Sequence, residues 1–234
     1  MARAPTLAVR SAVAITALAI AAFLPAYLPD VSMRSAGADT IFTVNSVGDD
    51  VDTGTGDGVC AAPPDGHCTL RAAIQEANAL AGSDTIHFNL PPADGYIISP
   101  AYFLPVITDS LVIDATTQPG YSGQPLVELD GGNAASGLSV SPRLYNSRHV
   151  IRGLAISGFL IAGISIIGEG EAVIQGNIIA HNGGHGIILG ASVGATISGN
   201  SIYDNAGMGI FRECLRAPLH PLRHPARSPR NNLR

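Results

Sequence analysis

Lysine and tryptophan are absent from this 234-residue chain, and the first absence excludes chemistry outright. All thirteen basic residues are arginine, so neither a Schiff base nor a lysine general base is available. Aromatic residues are scarce at 5%, charged residues at 13%, and there are only 3 cysteines. Against these shortages stand 27 glycines, 16 prolines and a 46% hydrophobic content. That balance points to a turn-dense fold packed with Ile, Val and Ala, not to a helical bundle. The length suits one domain with a sizeable core.

The few charges are unevenly placed. Residues 39–211 carry sixteen acids against Arg71, Arg143, Arg148 and Arg152, a net of −12. Residues 212–234 carry six arginines and one glutamate, a net of +5. An acidic body repels nucleic acid and suits cations or neutral partners, so no nucleic-acid partner is expected.

Arg3 and Arg10 precede an uncharged apolar run over residues 11–24. The run is shorter than the roughly 20 apolar residues of a membrane span. Pro25 and Pro29 end it, and Ala36-Gly37-Ala38 supplies small residues at a cleavage position. Residues 1–38 therefore read as a signal peptide cut before Asp39. An uncleaved anchor is the alternative, and the one route to a membrane. Both place the body outside the cytoplasm, secreted or at the cell surface. Cys60 and Cys68 lie in a tight loop with two prolines and two glycines. In an oxidising compartment they are expected to form a disulfide. Zinc ligation is the rival, although two cysteines and His67 make an incomplete set.

Internal repetition carries the most information. Ile151, Ile174 and Ile197 recur every 23 residues, followed in register by Gly153, Gly176 and Gly199 and by Ile156, Ile179 and Ile202. Gly163, Gly186 and Gly209 match, each with Ile164, Ile187 or Ile210 behind it, and Asn177 matches Asn200 as Asn182 matches Asn205. Such a register marks a solenoid. Fourteen glycines between residues 151 and 210 exclude helical repeats, and only Leu154, Leu160 and Leu189 are present to build a leucine ladder. Runs such as Ile187-Ile188-Leu189 read as brief strands between Gly/Asn turns. Stacked coils set equivalent residues about 4.8 Å apart. The isoleucines then form an interior ladder, and Asn177 over Asn200 and Asn182 over Asn205 form structural amide ladders. Leu111–Asp114 and residues 126–130 look like earlier, less regular coils. Residues 69–80 place Leu70, Ala73, Ile74, Ala77 and Leu80 on one helical face with Thr69 as N-cap, a helix suited to cover the first coil.

At Cys68-Thr69-Leu70-Arg71-Ala72-Ala73-Ile74 the chain resembles the CSLREA domain family, secreted bacterial proteins in which this motif precedes a right-handed β-helix. Phe42-Thr43-Val44-Asn45, Gln75-Glu76-Ala77-Asn78 and Thr116-Thr117-Gln118-Pro119-Gly120-Tyr121 are similar to that family too, and the likeness spans residues 41–211. Thr69 and Ala72 stand where the name-giving Ser and Glu would be, so no role of that glutamate carries over. The resemblance implies export and an all-β, right-handed parallel β-helix with an N-terminal capping helix; it implies no catalytic residues. The expected organisation is a signal peptide (1–38), a cap region (39–110), β-helix coils (111–211) and a basic Pro/Arg-rich tail (212–234).

Candidate chemistry is sparse. Gly184-His185-Gly186 is similar to a polygalacturonase motif, but neither an Asn-Thr-Asp nor an Arg-Ile-Lys segment accompanies it, and His185 shares its register position with Ala162 and Met208. His181 and Asp204 are 23 apart, so stacking sets them on one ridge, where a His–carboxylate pair could move protons. The plainer reading is a cross-coil pair on a solvated turn. Asp49, Asp50, Asp52, Asp57 and Asp65 crowd one loop. Their hard oxygens would suit Ca2+, although the spacing fits no known calcium loop and a solvated acidic loop is the simpler account. Sugar binding favours exposed aromatic platforms; Trp is absent, and the Tyr121, Tyr145, Phe159 and Tyr203 that remain neither support nor exclude a glycan partner. The expected function is a non-catalytic module that binds glycans or cell-envelope components; the alternative is a polysaccharide lyase or glycoside hydrolase acting on pectin-like polymers. In the tail, His220, Leu222, Arg223 and Pro225 occupy positions where the register wants Ile, Gly, Asn and Ile. Disorder there, and self-association through an uncapped C-terminal coil, are expected.

Overall fold

The computed structural model describes residues 38–132, 134–141, 147–168, 170–190 and 193–213, with Val193 described by its backbone alone. The expected leader, most of the expected tail, Cys214 and Tyr145 lie outside the described residues. Among those described, no helix is long and apolar enough to cross a membrane.

The strands form three parallel sheets that the chain visits in turn. The first holds β1 (Ile41–Val44), β2 (Asp84–Phe88), β4 (Leu111–Asp114), β7 (Arg148–Arg152), β10 (Gly170–Gln175) and β13 (Val193–Ser198), in that order. The second runs from β3 (Ile97–Ile98) through β5 (Val127–Asp130), β8 (Leu154–Ser157) and β11 (Ile178–Ala180) to β14 (Ser201–Tyr203). The third joins β6 (Ser136–Val140), β9 (Ala162–Ile166), β12 (His185–Leu189) and β15 (Ile210–Arg212). One coil is thus three short strands and three corners, a parallel β-solenoid. β1 and β2 already belong to the first sheet, so coiling begins ahead of residue 111.

Stacking explains the repeated isoleucines. Ile113, Ile151, Ile174 and Ile197 lie opposite one another across the first sheet, Ile156, Ile179 and Ile202 across the second, and Leu138, Ile164, Ile187 and Ile210 across the third. Each column points inward, and burying one such side chain stabilises the fold by about 1.5–3 kcal/mol. Ile174, Ile179 and Ile187 are fully buried; in the next coil Ile197 and Ile202 are half-buried and Ile210 is 45% exposed. β13, β14 and β15 are the edge strands of their sheets at this end.

The opposite end is covered. Helix α1 (Leu70–Ala79) starts at Thr69, whose side chain accepts the Ala72 amide, and it buries Leu70, Ala73, Ile74 and Ala77 in the same core as Phe42, Val44, Ile86 and Phe88. A helix laid over the first coil shields interior side chains that no preceding coil would contact.

Candidate functional site

Two corners of each coil need a left-handed backbone, and this decides several of the candidate residues. Between the first and second sheets the corner residues are Gly153, Gly176 and Gly199, with φ of 76°, 65° and 63°. Between the second and third they are Gly158, His181 and Asp204, with φ of 74°, 56° and 48°. Histidine and aspartate are among the few non-glycine residues that enter this region readily. His181 and Asp204 are therefore stacked on one exposed ridge, but no ion pair within 4.0 Å joins them. The His181 ring packs edge-on against Tyr203 instead, with centroids 5.6 Å apart.

The residue after each corner turns inward. Asn177 and Asn182 are buried, at 1% and 2% exposure. The Asn177 side chain accepts the Leu154 amide at 3.0 Å, donates to the Ile151 carbonyl at 3.0 Å, and donates to Asn200 Oδ1 at 3.0 Å. Asn182 does the same with the Phe159 amide (3.1 Å), the Ile156 carbonyl (3.3 Å) and Asn205 Oδ1 (2.8 Å). Phe159 takes the corresponding inward position one coil earlier and is 1% exposed, so it is no surface platform. Gly163 and Gly186 face these asparagines: a Cβ on Gly186 would lie 3.1 Å from Asn205 Nδ2 and 2.6 Å from the Gly209 carbonyl. His185 is tied to the next coil by accepting the Met208 amide at its Nδ1 (2.9 Å) and by stacking on Phe211 at 4.7 Å.

The acidic loop is dispersed among different partners. Asp52 accepts the amides of Gly54 (2.7 Å) and Ala61 (2.8 Å), and Asp57 accepts that of Val59 (2.8 Å). Asp65 stands 4.0 Å from His67 on an exposed turn closed by the Cys60–Cys68 disulfide. Glu76 reaches up from α1, fully buried, to accept the amides of Gly56 (2.6 Å) and Gly58 (2.9 Å). Burial raises the pKa of its carboxyl, and the two amide bonds oppose that rise. Among the described residues no three His, Cys, Asp or Glu side chains are grouped to hold a metal ion.

Acid and arginine do meet on the outer face of the first sheet. In register there lie Thr43, His87, Asp114, Arg152, Gln175 and Ser198. Arg152 donates to Asp114 at 2.6 Å, and Asp114 also accepts the Thr116 hydroxyl. Burial works against the Asp114 carboxylate, but the Arg152 and Thr116 bonds prevail and lower its pKa; the same bond raises that of Arg152. An arginine so paired stays protonated, unlike the base of a lyase. Glu171 is the other carboxylate on this face among the described residues, two strands and four positions from Asp114. Strand geometry puts that at roughly 16 Å, well beyond the roughly 5–9.5 Å of a glycosidase pair.

The open site lies elsewhere, at the cap. Arg71, on the first turn of α1 and only 9% exposed, spends its guanidinium on two neighbouring segments. It holds Asp49 through both carboxylate oxygens (3.0 and 2.8 Å) and donates to the carbonyls of Tyr102 (3.2 Å) and Phe103 (2.8 Å). Asp49 in turn accepts the Ala101 amide at 2.9 Å. Asp49, Asp50, Val51, Arg71, Ala101 and Tyr102 line an open cleft of about 440 Å³. Tyr102 and Phe103 are 77% and 66% exposed. Asp50 presents a carboxylate with no hydrogen-bond partner among the described residues. Sequence reasoning missed Tyr102 and Phe103, which belong to no repeat.

The geometry defines a parallel β-helix. The family model described as the right-handed β-helix region matches residues 140–214, the regular coils. No curated protein and no solved structure matches the chain.

Proposed function

We propose that this chain is an exported or cell-surface β-helix module of the CSLREA kind that binds glycans or other cell-envelope material without breaking them. The observation that carries the reading is the cap cleft, lined by the exposed Tyr102 ring and the unpaired Asp50 carboxylate, with a second exposed ring, Phe103, next in the chain. The repeat-borne candidates support it from the other side. His181 and Asp204 serve corners, and His185 ties one coil to the next. The Asp114–Arg152 pair neutralises itself. The Cys60–Cys68 bridge suits an oxidising compartment. In the acidic loop Arg71 already holds both Asp49 oxygens and each Asp52 oxygen already accepts an amide, so the reading includes no cofactor.

A panel of plant, fungal and bacterial-envelope glycans, assayed for retention and breakdown with the purified exported protein, tests this. Retention of at least one class with no new chain ends is expected. Release of unsaturated or new reducing-end oligosaccharides from pectin-like polymers would replace it with the lyase or hydrolase reading.

A further inference from the structure

Tyr102 and Phe103 are the most exposed large apolar side chains of the described residues, yet the backbone that carries them is held by largely buried side chains. A loop that simply failed to pack would show exposed rings on unbonded backbone. Here the Ala101 amide and the Tyr102 and Phe103 carbonyls are all held, and the groups that hold them are the ion pair of Arg71 and Asp49, exposed by 10% and 15%. A buried guanidinium committed to two carboxylate oxygens and three carbonyls costs desolvation that a merely decorative loop would not require. Holding the backbone fixes where the two side chains leave the chain before any ligand arrives, so only their rotamers remain to be ordered on binding.

The chemistry of the cleft narrows the ligand. Flat rings with open faces stack on the C–H faces of pyranoses, and a carboxylate accepts hydroxyl hydrogen bonds. Arg71 offers no free positive charge, because Asp49 neutralises it, and Asp50 leaves the cleft net negative. A uronate polymer is repelled there; an uncharged hexose chain is not. We infer that Tyr102, Phe103 and Asp50 form a preorganised subsite for an uncharged polysaccharide chain, with Arg71 and Asp49 as its positioning pair. The inference rests on the glycan-binding reading above and deepens it by naming the sugar class.

The test titrates the exported protein with hexasaccharides of uncharged glucose and mannose units and with a galacturonate hexasaccharide. Expected are saturable binding of an uncharged hexamer and none of the galacturonate. Tyr102→Ala and Phe103→Ala each weaken it at least tenfold, while Tyr102→Phe stays within about threefold. Both rings are exposed, so the urea midpoint of each variant should match the parent and serves as the folding control. Uncharged-sugar binding that survives the Tyr102→Ala/Phe103→Ala double variant, or preferential binding of galacturonate, overturns the subsite but leaves a glycan-binding module standing. No binding of any sugar across both experiments removes both readings, and capture of an envelope protein through the same rings removes the sugar alone.

Discussion

Removing the Asn177 side chain should cost far more than removing its register partner, and the difference measures what the amide ladder contributes. Asn177→Ala leaves the Leu154 amide and the Ile151 carbonyl without side-chain partners, in surroundings where Leu154 is fully buried and Ile151 1% exposed. An unsatisfied buried backbone group costs about 1–3 kcal/mol, and two of them together with the small cavity give roughly 3–5 kcal/mol. Asn200 makes the same kinds of bond, to the Asn177 amide (2.9 Å), the Asn177 side chain and the Ile174 carbonyl (2.7 Å), but it sits half-exposed in the edge coil. Ile174 and Asn177 are themselves buried, but the space that Asn200→Ala vacates is half-exposed and lets water reach their freed groups, so about 1 kcal/mol is expected. Urea unfolding followed by far-UV circular dichroism gives both numbers, and the double variant gives the coupling. The Asn182/Asn205 pair is an internal replicate with the same bonds. If the two single variants cost the same, or Asn177→Ala costs less than about 1 kcal/mol, burial of the ladder does not set its strength and the reasoning fails.

His149 makes acid stability a second test. It is 2% exposed, its ring nitrogens have no hydrogen-bond partner among the described residues, and burial pushes its pKa down to about 4. A depressed histidine contributes stability above its unfolded pKa near 6.5 and loses it as pH falls toward 4, on the order of 3 kcal/mol in all. Asp84, whose carboxyl is raised by burial, contributes in the opposite sense, losing stability as pH rises, and softens the slope. His149→Leu, facing Leu111 and Ala172 across the sheet, should flatten the pH 4–6.5 stability profile; an unchanged slope would refute this. Glu76→Gln should open the disulfide loop, because an amide NH2 would then face the Gly56 or Gly58 amide. Limited proteolysis should cut between residues 52 and 62 in the variant while α1 stays folded, and an unaltered cleavage pattern would count against it.

The repeat was legible because stacking makes the same demand at the same place in every coil. An inward Ile, a left-handed corner and a ladder Asn each leave a residue type behind at intervals of 23. The backbone demand is also what separates the plainer reading of a side chain from the chemical one. His181 and Asp204 look like a chemical pair until Gly158 is placed in their column, since a glycine there marks the left-handed corner. The same register sets Phe159 with Asn182 and Asn205, facing inward, and so excludes it as a platform. The acidic loop was illegible for another reason. Asp52 and Asp57 answer amides two to nine residues away, but Asp49 accepts the distant Ala101 amide, and Glu76 and Arg71 reach the loop from α1, contacts no local spacing announces.

The same constraint bears on where function can reside in such a fold. In the regular coils nearly every column is committed: isoleucines fill the interior, glycines and their αL substitutes make the corners, asparagines bind coil to coil. Changing a residue there disturbs two neighbours at once, so those columns have little freedom to specialise. The irregular segments are not so bound. Thr40 and Asp84 lie 44 residues apart and Asp114 and Arg152 38 apart, against 23 in the regular coils; the surplus of the first includes helix α1 as well as loop. Insertions in solenoids cluster on one face and are the usual carriers of binding. Arg71 and Asp49 lie within the longest of these segments, and the ring-bearing loop they anchor lies in the coil that follows it, where the paired Asp84 and Leu111 are 27 residues apart. The cap cleft is therefore where selection on a ligand could act without unstacking the coils, which is the physical reason to look there before any strand of the helix.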